Sequence, residues 1–143
     1  MKLISGEKYL VDTNVLVYSV NRDSSLYQAS IEVLQEALAQ GASLVLTHQN
    51  LLEFIAVLTR AYHVSFQQAL EDAKAFGSSF EVIIPLPATF DLSMDLMQKT
   101  RGTLYPFDLY LAATMMNNDV FRIITANKKD FQGIGLEEVI EIS

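Results

Sequence analysis

The chain has 143 residues, half of them hydrophobic, and its 10 basic and 17 acidic residues give a formal net charge of -7. It contains no cysteine, which excludes disulfides and thiolate chemistry, and no stretch approaches the roughly 18 consecutive apolar residues of a membrane span. The few residues before the first apolar run are too short for a signal peptide. We therefore expect one domain over residues 1–143, cytoplasmic and without a membrane partner.

The first apolar run, Tyr9 to Tyr18, is interrupted by one acid, Asp12. Tyr, Leu and Val without polar alternation are typical of a strand that is buried on both faces, as in a parallel sheet. A carboxylate there needs a cation, hydrogen bonds or a place at the open end of the strand, because burying an unpaired charge is costly. Ligands of open α/β sheets bind at that end, but an Asp there can also cap the next helix. Both interpretations of Asp12 stay open.

Strands and helices alternate along the rest of the chain. Strands are predicted near residues 8–12, 43–46, 81–84, 121–125 and 138–142. Helices are predicted to begin near Ser25, Thr47, Ser65, Thr89 and Pro106, where the residue type suits a first turn. The first of them should bury Ile31, Leu34 and Leu38 and end at Gly41, whereas Gly77 should break the third. This alternation predicts an α/β fold with a parallel sheet covered by helices on both faces.

Two further acids lie on predicted helices. Glu53 falls opposite the apolar stripe of its helix, so a solvated surface position is the simpler interpretation. Asp108 falls within the apolar arc of a helix that is apolar over most of its circumference. An acid in a first turn is stabilised by the helix dipole, but a solvated cap would lie off the apolar face. Periodicity therefore favours a functional role for Asp108.

Polar and basic residues surround these acids in the sequence. The turn from Thr125 to Phe131 follows a predicted strand, and an ordinary Asn/Lys turn is its simplest interpretation. The acidic net charge argues against a nucleic-acid partner, unless a local cleft is basic. Five basic residues close in sequence to Asp12, Asp108 or Asp130 are candidates for RNA contacts, namely Arg22, Lys99, Arg101, Lys128 and Lys129. Scattered Lys and Arg are more often solvated surface, so this also stays open.

Four segments in this order and spacing resemble the PIN-domain nucleases, a family that includes the toxins of VapBC toxin-antitoxin pairs. The matching segments are Val11 to Leu16, Leu51 to Phe54, Phe107 to Ala113 and Thr125 to Phe131. The resemblance covers nearly the whole chain. It implies a three-layer sandwich in which helices flank a five-stranded parallel sheet.

The resemblance also implies a ribonuclease that depends on Mg²⁺ or Mn²⁺. Its catalytic residues would be Asp12, Glu53, Asp108 and Asn127, with Asp12 and Asp108 as primary metal ligands and Glu53 as a ligand or the holder of a water. Thr13, Thr125 and Asp130 are secondary candidates. Oxygen ligands select such cations, and converging carboxylates repel one another unless a cation neutralises them. Many family members carry an acid at the position of Asn127, so the number of metals stays open.

The implied partners are an RNA substrate, a cognate antitoxin and a second copy of the chain. A PIN-fold module that only binds protein is an alternative, although retention of the three acids argues against it. A phosphotransfer enzyme with an aspartyl nucleophile is another. The dehalogenase-like pattern of that class needs a second acid where this chain has Asn14.

Overall fold

The computed structural model describes residues 3–143. Its strands are β1 (Lys8–Val11), β2 (Ser43–Thr47), β3 (Glu81–Ile83), β4 (Arg122–Thr125) and β5 (Glu138–Glu141). They form one parallel sheet in the order β3-β2-β1-β4-β5. The predicted five-stranded parallel sheet is therefore confirmed.

Helices cover both faces of this sheet. They are α1 (Thr13–Val20), α2 (Tyr27–Gln40), α3 (His48–Arg60), α4 (Phe66–Ser79), α5 (Thr89–Thr100) and α6 (Pro106–Asn117), and a short 3-10 helix spans Lys128–Phe131. Tyr9 and Val11 of β1 pack with α1 to α4 on one face, whereas Leu10 packs with α5 and α6 on the other. The chain is thus a three-layer sandwich, and no helix among residues 3–143 is both long and apolar enough to cross a membrane.

The central strand β1 places the first acid. Leu10 pairs with Val45 of β2 on one side and with Ile123 of β4 on the other, so β1 is buried from every direction. Asp12 follows directly, and its backbone N–H donates to the carbonyl of Ile124 at 2.9 Å. Because all the strands are parallel, the residues that follow β1, β2 and β4 meet at one edge of the sheet.

One helix was not predicted. The strand ends at Val11, one residue earlier than expected, and the apolar run continues as α1 rather than as a strand. Asp12 makes the change of direction: its backbone is extended (φ -66°, ψ 151°) and its side chain accepts the N–H of Thr13. Val15, Leu16 and Val17 are buried in α1, and a buried helix and a buried strand both contain such runs.

The predicted cap of α2 is wrong, and its predicted buried face is only partly right. The helix begins at Tyr27, after Leu26, which has no side chain that could cap it, and the Ser24 hydroxyl accepts the N–H of Leu26 in the preceding turn. Leu34 packs against the core as predicted. Leu38 is 73% exposed, whereas Val33 and Ala37 are buried. Close packing of α2 on α1 favours these smaller side chains. Gly41 ends the helix in the left-handed conformation, as predicted.

The predicted break at Gly77 is also wrong. Helix α4 begins with Ser65 as its cap, as predicted, but continues through Gly77 to Ser79. A Cβ at Gly77 would lie 3.4 Å from the Leu51 side chain of α3. That distance is an ordinary van der Waals contact, so the helices would also admit alanine here, and α4 tolerates the glycine at a cost of about 1 kcal/mol relative to Ala.

Candidate functional site

Asp12 caps α1, which confirms its interpretation as a helix cap, and it also lines a cleft at the carboxyl edge of the sheet, where the other interpretation would place a ligand. The carboxylate is 8% exposed. Its Oδ1 accepts the N–H of Thr13 and its Oδ2 accepts the hydroxyl of Thr125, each at 2.8 Å. Burial is the main reason that the pKa of Asp12 rises to about 6; the bonds from Thr125 and Thr13 oppose the rise, and the charges of Glu53 and Asp130 add to it. Charge at this position is thus only partly compensated.

Glu53 is held by a network between α1 and α3. The Thr13 hydroxyl donates to Glu53 Oε2 at 3.1 Å, and Gln49 Nε2 donates to Glu53 Oε1 at 3.0 Å. Asn50 Nδ2 donates to the Thr13 hydroxyl at 3.1 Å, and Asn50 also closes the capping box with Thr47 that begins α3. Glu53 is exposed, as its periodicity predicted, but its carboxylate is oriented by neighbours. Sequence reasoning missed Asn50, although its spacing from the predicted cap Thr47 was visible.

Asp108 lies in the first turn of α6 and is partly buried. The hydrogen bond found for it within residues 3–143 involves its backbone, whose N–H donates to the carbonyl of Tyr105 at 3.0 Å. The pKa of Asp108 is raised to about 7, mainly by burial and then by the charges of Asp12, Asp130 and Glu53. Asp108 is therefore the carboxylate that is least compensated by its surroundings.

The turn after β4 contributes Asp130 rather than Asn127 to the cleft. Asp130 lines the cleft, whereas Asn127 lies beside it and donates from Nδ2 to Asp130 Oδ2 at 2.9 Å. The backbone N–H of Asn127 donates to the Thr125 hydroxyl at 3.0 Å. Asn127 thus orients the Asp130 carboxylate and the Thr125 hydroxyl. Asp130, a secondary candidate in the sequence analysis, is the residue of this turn that lines the cleft.

These side chains share one cleft of about 260 Å³. Its lining comprises Asp12, Thr13, Asn14, Val17, Tyr18, Glu53, Val57, Tyr62, Asp108 and Asp130. The ion pairs found within residues 3–143 all involve Lys8 or Arg122, which lie at the amino ends of their strands. The predicted RNA-contact residues are all exposed and lie outside this lining, namely Arg22, Lys99, Arg101, Lys128 and Lys129. The cleft is therefore acidic, and its carboxylates lack a cationic side chain of the described chain as partner.

The donor set suits a hard divalent cation. Four carboxylates and the Thr13 hydroxyl offer oxygen ligands, which Mg²⁺ and Mn²⁺ prefer. In the described part of the chain, no three His, Asp or Glu side chains converge closely enough to enclose one ion. Mg²⁺ is usually held by one or two carboxylates and retains several waters. The residues therefore fit a partly hydrated ion rather than one enclosed by protein ligands.

Residues 9–135 match the family model of the PIN domain. The chain therefore belongs to the PIN-domain family, and the resemblance seen in its sequence is confirmed. A comparison with curated protein sequences gave no match.

Solved structures with the same fold span nearly the whole chain. VapBC2 from Rickettsia felis, bound to a DNA fragment from its promoter, aligns with a TM-score of 0.71 at 19% identity over 95% of this chain and 99% of that one. A toxin-antitoxin complex from Klebsiella pneumoniae gives 0.67 at 25% identity, covering 94% and 99%. The sarcin-ricin loop cleaving toxin VapC20 from Mycobacterium tuberculosis gives 0.65 at 14% identity, covering 80% and 86%. These likenesses establish the PIN-like α/β fold.

Proposed function

We propose that this protein is a metal-dependent ribonuclease that hydrolyses RNA phosphodiester bonds, and that it is the toxin of a type II toxin-antitoxin system acting in the cytoplasm. The observation that carries the proposal is the meeting of Asp12, Glu53, Asp108 and Asp130 in one cleft. Membership of the PIN-domain family supports it. Further support comes from similar structures that include VapBC complexes and an RNA-loop cleaving toxin.

The cleft residues have separate roles in this proposal. Asp12 and Asp108 are the primary ligands of Mg²⁺ or Mn²⁺, and Glu53 and Asp130 complete the acidic set. When bound, such a cation lowers the pKa of a water and offsets the charge that develops on the phosphodiester. The chain's contribution is orientation: the Thr125 hydroxyl and the N–H of the residue after Asp12 fix that carboxylate from two sides.

Two macromolecular partners are proposed beside the RNA. A cognate antitoxin is supported by the toxin-antitoxin complexes among the similar structures. A second copy of the chain is supported by an apolar groove of about 540 Å³ between α3, α5 and α6, which includes Leu52, Phe90, Met97 and Phe107. Leu52 is 68% exposed and Phe90 59%. Exposed apolar groups that cluster in this way mark contact surfaces of proteins.

Light scattering on the purified chain tests the second copy. We expect a dimer at tens of micromolar, and we expect Phe90→Glu to dissociate it because a charge would be buried in the contact. Leu38→Glu is the matched control, since Leu38 is equally apolar and exposed but lies on α2, away from the groove. A wild-type monomer, or equal effects of the two substitutions, would refute the proposed dimer.

RNA cleavage by the purified chain tests the activity. We expect cleavage in Mg²⁺ or Mn²⁺, no cleavage with chelator, and a steep loss in Asp12→Asn, because Asn caps a helix as well as Asp does but lacks the charge. Asp95→Asn is the control, since Asp95 is exposed on α5 outside the cleft. Cleavage that survives chelation would refute the metal mechanism. Intact RNA under every condition would favour the protein-binding module, and turnover of phosphomonoesters instead would favour the phosphotransfer alternative.

A further inference from the structure

The cleft has a second wall, opposite in character to its carboxylates. This wall consists of Val17 and Tyr18 from α1, Val57 from α3, and Tyr62 just beyond the end of α3. The proposed ribonuclease chemistry uses none of these residues. Two tyrosines therefore line the same small space as the acids without a role in the metal site.

Tyr62 is held by its backbone rather than by a mobile loop. Its N–H donates to the carbonyl of Val57 at 3.4 Å, and two residues later the N–H of Val64 donates to the carbonyl of Leu58 at 3.0 Å. Between them His63 has a φ of +55°, which is uncommon for a residue other than glycine and reverses the chain. The turn thus fixes the position of Tyr62 while its side chain stays 43% exposed. A ring placed in this way can offer a face to a ligand.

The charge of the cleft limits how RNA can bind there. Proteins usually gain affinity for nucleic acids from Lys and Arg at the phosphates. Among residues 3–143, the side chains that line this cleft include four carboxylates and no Lys or Arg. The proposed cation can meet one phosphate here, but no basic side chain of the lining adds affinity, so contacts to the base are a further source of binding energy. Stacking of bases on aromatic rings is such a contact, and it is common in the recognition of single-stranded RNA.

The size of the cleft indicates how much RNA it can hold. Its volume of about 260 Å³ is near the lower end of the roughly 300–1,000 Å³ of small-ligand pockets. This space is on the scale of one nucleotide. A base that enters it to stack on a ring must first be unstacked from its neighbours, because stacking covers its faces.

We propose that Tyr62, supported by Tyr18, forms a stacking site for one unpaired nucleobase of the RNA beside the scissile phosphodiester. This inference rests on the proposed ribonuclease function and assigns the contact to the base to two residues of this chain. Tyr62 offers the more exposed ring, and Tyr18, which lines the same cleft, is partly buried. The aromatic wall binds the base while the acidic wall meets the phosphodiester.

Steady-state kinetics on single-stranded RNA test the role of the ring. Tyr62→Leu keeps an apolar side chain but removes the ring, and we expect KM to rise on the order of 10-fold with a smaller change in kcat. Tyr62→Phe keeps the ring and should behave like wild type. Phe66→Leu is the matched control, since Phe66 is an aromatic residue that is 65% exposed and lies on α4, outside the cleft lining. A Tyr62→Leu variant with wild-type KM would overturn the inference.

A binding measurement separates this inference from the proposed activity. The chain has no tryptophan, so Tyr62→Trp in an Asp108→Asn background gives one indole whose fluorescence reports on this wall while the RNA stays intact. We expect a short single-stranded RNA to quench it and an abasic oligonucleotide with the same phosphates not to. Equal quenching by both, or quenching only by a partner protein, would overturn the stacking site. If wild type cleaves RNA but the fluorescent variant shows no quenching, the stacking site is refuted and the ribonuclease proposal stands. If quenching depends on the bases but wild type cleaves no RNA, the stacking site is supported and the ribonuclease proposal is refuted.

Discussion

The substitution Asp108→Asn separates a metal site from a helix cap. It removes one negative charge from the cleft and leaves the shape of the side chain nearly unchanged. The pKa of Asp108 is raised to about 7, first by burial and then by the charges of Asp12, Asp130 and Glu53. In the metal-free protein an amide at this position therefore relieves repulsion. With metal present it removes a ligand charge.

The sign of the stability effect follows from the direction of this pKa. Below the unfolded pKa of 3.8, both states of the protein carry a protonated Asp108 and the side chain contributes nothing. As pH rises toward about 7 the unfolded state loses the proton first, so the metal-free fold becomes less stable. The ceiling of this loss is about 4 kcal/mol, at about 1.4 kcal/mol per pKa unit. Because the carboxylate is only half-buried, solvent screening reduces the expected loss to roughly 1–2 kcal/mol.

Thermal unfolding measures this difference. In chelator at about pH 8, Asp108→Asn should unfold roughly 2–8 °C above wild type, at about 2–4 °C for each kcal/mol in a chain of this size. At about pH 4 the two melting temperatures should agree. In Mg²⁺ the difference between the two melting temperatures should shrink or change sign, because metal binding stabilises the folded wild type more than the variant. RNA cleavage by the variant should fall steeply.

The helix-cap interpretation forecasts the opposite result. An acid in the first turn of α6 contributes about 0.3–1 kcal/mol through the helix dipole. If that were its whole role, Asp108→Asn would be less stable than wild type in chelator at about pH 8 and would cleave RNA normally. Either observation would refute a metal-ligand role for Asp108. Asp95→Asn, at an exposed acid, controls for the loss of charge alone.

Three further substitutions test the surroundings of the acids. Thr125→Val removes the 2.8 Å bond to Asp12, and we expect the free energy of unfolding in chemical denaturation to fall by about 1–3 kcal/mol. The pH profile of RNA cleavage should shift to higher pH, because that bond holds the pKa of Asp12 down. Asn50→Ala opens the capping box of α3 and should cost about 0.5–2 kcal/mol in the same measurement. Asp130→Asn should reduce Mg²⁺-dependent cleavage more than Asn127→Ala does, since only the acid lines the cleft; equal losses would contradict this.

The architecture could be predicted because its signals are local. Strands that are buried on both faces need continuous apolar runs, and the runs near Leu10, Val45 and Ile123 alternate with helical periods. Helix α1 could not be recognised for the same reason, since Val15, Leu16 and Val17 fit a buried strand equally well. Its only local marker was Asp12, and an acid after a strand predicts a cap and a ligand site alike.

The site was only partly predictable because it is formed by contacts across the fold. The periodicity of α3 correctly gave Glu53 an exposed position, but the bond from Thr13, forty residues away in sequence, orients it into the cleft. The turn after β4 offered Asn127 and Asp130 without indicating which one enters the cleft. The structure decides this through the 2.9 Å bond by which the amide holds the acid. Family resemblance supplied the set of positions, and tertiary packing assigned their places.

Stability and the proposed function oppose each other in this cleft. The raised pKa values of Asp12 and Asp108 mean that the folded protein concentrates negative charge against burial and repulsion. A chain selected for stability alone would place amides or apolar groups there. The hydrogen bonds from Thr125 and Thr13 orient Asp12, but they offset only part of the free-energy cost of burying its charge. No Lys or Arg among the described residues forms an ion pair with this retained charge, and a bound cation is the partner that we propose for it.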